Sequence, residues 1–259
     1  MHPRVPVIGN SHAKAILSGA QRLEEAAFRG VVIRESKCFP RFDGIGSEVR
    51  EVMGGLVDRL LQGDAGRGIV CVGGAPDATP AGSLFCAIGG NAHLAMAISD
   101  HSRPFDFYDG VGDSASQVDS AAEIIPFAAI KMTLSYRIKA QLMLLDLIAE
   151  HSGVPVVHVQ SPPPPRSNAY VKANLDDEFT GGNPVDIASP AVRLKLYRLH
   201  SSLFAEHCAR KGIDVIPSPE EACDSDGYLL PEYCAEGSCA HANTDYGELV
   251  SRQILARCS

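Results

Sequence analysis

Ser11 follows Gly9-Asn10 at the point where a short apolar run, Val5 to Gly9, meets a helix-forming segment. A hydroxyl at a strand-to-helix turn lies beside backbone N–H groups that the first helical turn leaves unpaired. Such donors can hold negative charge on a carbonyl oxygen. Residues 87–93 read AIGGNAH. Gly89 and Gly90 let the backbone pass close to a ligand, and Asn91 offers a side-chain amide, a donor worth roughly 3 kcal/mol at an oxyanion. Residues 239–250 read CAHANTDYGELV, with His241 just ahead of an amphipathic stretch. A hydroxyl, an imidazole and amide donors are the parts of acyl transfer: nucleophile, general base and oxyanion holder. Each also has a plainer reading. Ser11 would serve as a helix cap, Asn91 as the cap after a Gly-Gly turn, and His241 as one of nine histidines on a surface.

The elements that must position these residues are legible as alternating strands and helices. Short apolar runs rich in β-branched residues predict strands at 5–9, 30–35, 68–73, 83–89, 154–160 and 214–217. Most lack in/out alternation, so both faces of the sheet should be covered. Spacings of three and four predict one long helix over 123–150, carrying Ile130, Leu134, Ile138, Leu142, Leu145 and Ile148, with Gly153 as its stop. A second helix is expected over 190–211, with Ser189 as N-cap, Pro190 in the first turn and Gly212 as the stop. A third is expected over 244–257. Strands that alternate with helices imply a three-layer α/β/α sandwich around a mostly parallel sheet. Two polar stretches, 99–122 and 161–189, follow strands and are expected to border a ligand crevice at the carboxyl ends of the sheet. Phe105, Phe107 and Tyr108 lie in the first of them, either as a local hydrophobic staple under the loop or as walls of the crevice.

With 259 residues the chain is read as one domain, 1–259. The formal charge of −8 argues against a nucleic-acid surface, which requires clustered Lys and Arg. No apolar run has the length to span a bilayer. The first one, Val5 to Ile8, is too short for the core of a signal peptide, so a cytoplasmic setting is expected. Of the eight cysteines, Cys71 and Cys86 sit in strand-like runs as buried thiols. Cys223, Cys234, Cys239 and Cys258 form no C-x-x-C pair, so neither a metal nor a cofactor is expected. The absence of G-x-G-x-x-G and of the phosphate-loop motif argues against a nucleotide-binding protein.

Taken in order along the chain, the three chemical blocks resemble those of the SGNH hydrolases, also called the GDSL-like esterases and lipases. The family's first block is matched by Gly9-Asn10-Ser11, its G-x-N block by Gly89-Gly90-Asn91, and its D-x-x-H block by Ser238-Cys239-Ala240-His241. The resemblance implies a flavodoxin-like sheet, Ser11 as nucleophile and His241 as base. It also implies an oxyanion hole from Asn91, the Ser11 N–H and a glycine N–H. For that glycine, Gly44 or Gly46 in FDGIGS is preferred over Gly73 or Gly74, because the turn should follow the second strand; Gly90 is a further donor. Asn10, His12, His93 and Phe107 are the candidate substrate contacts. Two positions depart from the family pattern. Asn10 replaces the Asp of the first block, and Ser238 replaces the Asp that orients the histidine. Glu236, Asp224 and Asp226 are alternative acids by nearness in sequence. The implied activity is hydrolysis of a small acyl ester, such as an O-acylated carbohydrate. The alternatives are an O-acyltransferase of the same family and a glycan-binding relative that has lost catalysis.

Overall fold

A computed structural model describes residues 4–23, 27–33, 51, 69–72, 82–98, 103–110, 118–175 and 186–258. Among them a six-stranded sheet runs in the order β3-β2-β1-β4-β7-β8. Its strands are β1 (Arg4–Gly9), β2 (Ala27–Ile33), β3 (Ile69–Val72), β4 (Leu84–Ala87), β7 (Val156–Val159) and β8 (Asp214–Ile216). All neighbours pair in parallel except β3, which is antiparallel to β2 at the edge. The five parallel strands, numbered among themselves, follow the flavodoxin-like order 2-1-3-4-5. The expected strands thus recur with ends shifted by at most three residues; residues 34, 35, 68 and 73 lie outside the described residues.

Both sheet faces are buried, and the alternation of strand side chains sorts them into two cores. Ile8, Leu84, Cys86 and Val156 face one core. That core is closed by α2 (Ala92–Ile98), α3 (Phe127–Arg137), α4 (Lys139–His151) and α6 (Pro190–Lys211). Val5, Val7, Phe85 and Val157 face the other, under α1 (Ser11–Ala20) and α7 (Thr244–Cys258). Because both faces are covered, the strands read as continuous apolar runs.

The helix over 190–211 forms as the sequence indicates: Ser189 accepts the Val192 N–H at 3.3 Å, and Gly212 ends it at φ +68°. The single long helix over 123–150 does not form. Glu123–Ile124 is a short strand, β6, paired in parallel with β5 (Phe105–Asp106). The remainder breaks at Ile138, which adopts φ −90° and ψ 0° between α3 and α4. Ile138 is fully buried, whereas Met132 and Tyr136 of α3 are exposed. The apolar stripe therefore changes direction at Ile138 so that α4, with Leu144, Leu145 and Ile148 buried, can follow the sheet. The two polar stretches are also more structured than expected. The first contains β5. The second contains α5 (Asn168–Ala173), and its run Ser161 to Pro165 is buried. Arg193 of α6, 1% exposed, donates to the carbonyls of Pro165, Arg166 and Ala188 and to Asn168 Oδ1, tying both ends of that stretch together.

Candidate active site

The carboxyl ends of β1 and β4 lie side by side, and the connections from them leave in opposite directions across the sheet. Open α/β sheets bind ligands at such a switch point. Here the contact is close: the Asn10 N–H donates to the Ala87 carbonyl at 3.1 Å, and a Cβ on Gly9 would lie 2.4 Å from that oxygen. Only glycine fits, and the turn carrying Ser11 is thereby set next to the Gly89-Gly90-Asn91 turn.

Asn10 caps α1, its Oδ1 accepting the His12 N–H at 3.3 Å. Ser11 is therefore the first helical residue, and the capping role belongs to its neighbour. This decides between the two sequence readings of Ser11 as far as the cap is concerned. Asn10 is 2% exposed, so its part is to build the turn.

His241 reaches the same place through helix packing. Its loop ends at Asn243, whose Oδ1 accepts the Asp245 and Tyr246 N–H groups and so caps α7. Helix α7 crosses α1 at backbone contact. A Cβ on Gly247 would lie 1.8 Å from the Ala15 carbonyl oxygen, and one on Gly19 would lie 2.1 Å from the Glu248 nitrogen. Ser251 Oγ adds a 3.0 Å hydrogen bond to the Ile16 carbonyl. With the two helices locked in this register, Ser11 and His241 line one pocket of about 320 Å3, together with Lys14, Ser18 and Thr244. A narrower pocket beneath it is lined by Ser11, His12, Gln160, His241 and Tyr246.

Ser238 Oγ lies 2.7 Å from His241 Nδ1. The residue in the acid's position therefore does contact the ring, as a hydroxyl without charge. The alternative acids are engaged elsewhere or turned outward. Asp224 and Asp226 both pair with Arg166, at 2.8 and 2.5 Å, and Glu236 is exposed. The segment 161–175 braces the His241 loop: Tyr170 donates to the Ser238 carbonyl at 3.0 Å, and Asn174 Oδ1 accepts the Gly237 N–H at 2.9 Å.

The other expected contacts divide. His12 is buried with its ring centroid 5.4 Å from that of His241. Its pKa falls to about 3, first through desolvation and then through repulsion from His241, against smaller opposing contributions from the Asn91 side chain and the Gly90 backbone. His12 thus lies inside the site. His93 is 3% exposed and packs on His200 and Tyr197, with ring centroids 4.8 and 5.4 Å away, so it offers no surface to a ligand. Phe107 is fully buried and stacked on Phe127, and Phe105 is 7% exposed; both belong to the core, so neither presents a face to a sugar. Tyr108 is half exposed. Gly44, Gly46, Gly73 and Gly74 lie outside the described residues. Gly90 has φ +67°, a left-handed conformation that favours glycine, and its carbonyl accepts from Ser161 Oγ at 3.2 Å.

Two residues at this site escaped the sequence reading. Ser161 is the second residue after β7. His200 sits four residues after Leu196, within the apolar stripe of α6, and its polarity there is the signal that marked it. Its Nε2 lies 2.9 Å from the Gly89 carbonyl oxygen. Among the described residues no three His, Cys, Asp or Glu side chains gather as a metal site, and no helix is long and apolar enough to cross a membrane.

No protein-family model matches the chain, and no curated protein matches it by sequence. Solved structures do match it. One, reported as a platelet activating factor from Streptococcus pneumonia, superposes over 100% of this chain and 85% of its own, with a TM-score of 0.51 and 13% identity. An extracellular lipase from Streptomyces rimosus matches over 99% of this chain and 100% of its own (TM-score 0.49, 11% identity). A GDSL-like lipase from Bacteroides thetaiotaomicron matches over 99% and 89% (TM-score 0.46, 10% identity). At these identities the likeness is one of fold, an α/β sandwich around a mostly parallel sheet. In this chain Ser11 begins the helix after β1, Asn91 lies on the turn after β4 and His241 lies in the loop before the last helix.

Proposed function

We propose that the chain is a serine esterase that hydrolyses a small acyl ester, with Ser11 as nucleophile and His241 as general base. The observation that carries this reading is the 2.7 Å contact between Ser238 Oγ and His241 Nδ1, on a ring that shares its pocket with Ser11. A neutral imidazole has one N–H. Ser238 Oγ receives the Ala240 N–H at 3.3 Å, and in this reading it also accepts the Nδ1–H of His241. The mechanism requires that tautomer, whose Nε2 lone pair is then the one to take the Ser11 proton.

Ser11 Oγ attacks the ester carbonyl carbon as its proton passes to His241. Asn91 and the N–H groups of Ser11 and Gly90 hold the oxyanion. Collapse expels the alcohol, which leaves with the proton from His241. Water then attacks the acyl carbon and gives a proton to His241; the acyl–Oγ bond breaks as His241 passes that proton to Ser11 Oγ, releasing the acid and regenerating the hydroxyl. Ser238 orients the ring but brings no negative charge to the imidazolium, so turnover is slow for this chemistry. The pocket of about 320 Å3, walled by Ser11, Lys14, Ser18 and Thr244, supports a short acyl group on a polar, hydroxyl-rich alcohol such as a carbohydrate.

Labelling with a serine-directed fluorophosphonate, followed by mapping of the modified peptide, tests the assignment. Modification at Ser11 that disappears in His241→Ala supports it. A protein that stays unlabelled, and hydrolyses no simple acetyl ester above background, overturns it.

A further inference from the structure

The turn that would receive the oxyanion is held from inside the protein by two side chains. His200 Nε2 lies 2.9 Å from the Gly89 carbonyl oxygen, and Ser161 Oγ donates to the Gly90 carbonyl at 3.2 Å. Both side chains are almost fully buried, at 1% and 2% exposure. Gly89 has no room for a side chain on this side, since a Cβ there would lie 2.1 Å from Ser161 Oγ. No described peptide bond is cis, and in a trans peptide the N–H points opposite to the C=O. A Gly89 carbonyl drawn toward His200 therefore turns the Gly90 N–H away from His200. A Gly90 carbonyl drawn toward Ser161 turns the Asn91 N–H away from Ser161. Without such anchors a Gly-Gly peptide flips at little steric cost.

We propose that His200 is a positioning residue: by donating its Nε2–H to the Gly89 carbonyl it fixes the peptide plane that aims the Gly90 N–H, and with it Asn91, at the oxyanion. Ser161 holds the next peptide in the same sense. The ring is suited to this task. It is boxed by His93 and Phe204, with centroids 4.8 and 4.9 Å away. Burial lowers its pKa to about 4, so the ring is neutral with its one N–H committed to Gly89, and Nδ1 has no hydrogen-bond partner among the described residues. The catalytic consequence rests on the esterase reading; the grip on the turn does not.

Two substitutions separate anchoring from simple packing. His200→Gln places an amide N–H near Nε2, whereas His200→Phe fills the space and removes the donor; His200→Asn, too short to reach Gly89, stands in for the phenylalanine variant should that fail to fold. On p-nitrophenyl acetate, the loss of one aimed donor should lower kcat by about tenfold or more with KM nearly unchanged in the Phe or Asn variant, and His200→Gln should recover most of it. In an Asn91→Ala background the same His200 substitution should cost less than about threefold, because the two act as one unit. Equal losses for Gln and Phe, or losses that multiply in the Asn91→Ala background, would overturn the proposal. Backbone amide resonances give a readout free of activity. Those of Gly90 and Asn91 should move in His200→Phe or His200→Asn and return in His200→Gln. If they stay still, the grip is refuted whatever the rates show. If they respond while the wild-type protein hydrolyses no ester, the anchoring stands and it is the esterase reading that fails.

Discussion

Asn10 and Ser11 divide two tasks that one residue often holds at a helix start. Asn10 takes the cap, so the Ser11 hydroxyl has no capping duty. If Ser11 and His241 form one proton-transfer unit, Ser11→Ala and His241→Ala should each remove most ester hydrolysis. The double variant should lose little more than either alone, as initial rates will show. Ser238 sets the second expectation at this scale. Its hydroxyl contacts His241 Nδ1 at 2.7 Å and, in the proposed mechanism, would orient the ring without compensating an imidazolium charge. A carboxylate in that role is worth up to ~10⁴ in kcat, so Ser238→Asp should raise kcat by at least about tenfold. Ser238→Ala should lower it. A Ser238→Asp rate at or below wild type would show that the new carboxylate does not serve the ring.

The crossing of α1 and α7 sets the geometry of the candidate site. Gly19 and Gly247 bring the two backbones together, and Ser11 at the start of α1 and His241 in the loop before α7 inherit the register. Because the atoms facing Gly247 are backbone, a methyl group there cannot be absorbed by a rotamer change. Gly247→Ala should therefore destabilise the fold by about 1–3 kcal/mol, the usual range for overpacking. It should also lower kcat by more than its effect on stability accounts for, since the imidazole is displaced from the hydroxyl. Urea midpoints and rates measured on the folded fraction would separate the two. A variant with wild-type kcat at reduced stability would show that the crossing supports the fold but does not tune the site. The nearby pair Arg22–Asp245 joins the same helices at the surface, where solvent and salt screen it, so it is no substitute for the glycine contact.

Across the whole molecule, four described histidines are buried: His12, His93, His158 and His200. Desolvation is the largest cause of the lowered pKa in each, to about 3 for His12 and His158, to about 4 for His200, and well below the ordinary value for His93. Their pKa values are depressed in the folded state, so the unfolded chain binds more protons below the ordinary imidazole pKa of about 6.5. The stability they permit is complete above that value and is lost as pH falls from it toward about 4 and 3. Uptake of four protons on unfolding corresponds to about 5 kcal/mol per pH unit within that window. Urea unfolding followed from pH 8 to pH 5 should show a flat region and then a steep decline near neutrality. A decline equivalent to less than one proton would mean that these rings are not held neutral in the folded protein. Because His200 lies against the Gly89-Gly90-Asn91 turn, His12 against His241 and His93 against His200, acid should impair the site and the fold together.

What the sequence determined by itself was local or periodic. Apolar runs marked the strands, Ser189, Pro190 and Gly212 bounded α6, and three short motifs in order marked Ser11, Asn91 and His241, because caps and strand-to-helix turns depend on residues next to one another. Tertiary structure decided whatever required distant segments to meet. The break at Ile138 answers to the core that α3 and α4 close, not to the helical spacing of 123–150, which continues through it. Phe107 and His93, plausible ligand contacts in the sequence, were drawn into the core by Phe127 and His200. Ser238 reaches His241 while Asp224 and Asp226 turn to Arg166, a choice made by a cation 58 residues away from Asp224. His200 looks in the sequence like an interruption of an apolar stripe. It gains the Gly89 carbonyl as a partner only when α6 packs against the turn after β4, 111 residues earlier in the chain, because hydrogen bonds act over about 3 Å of space irrespective of separation along the chain.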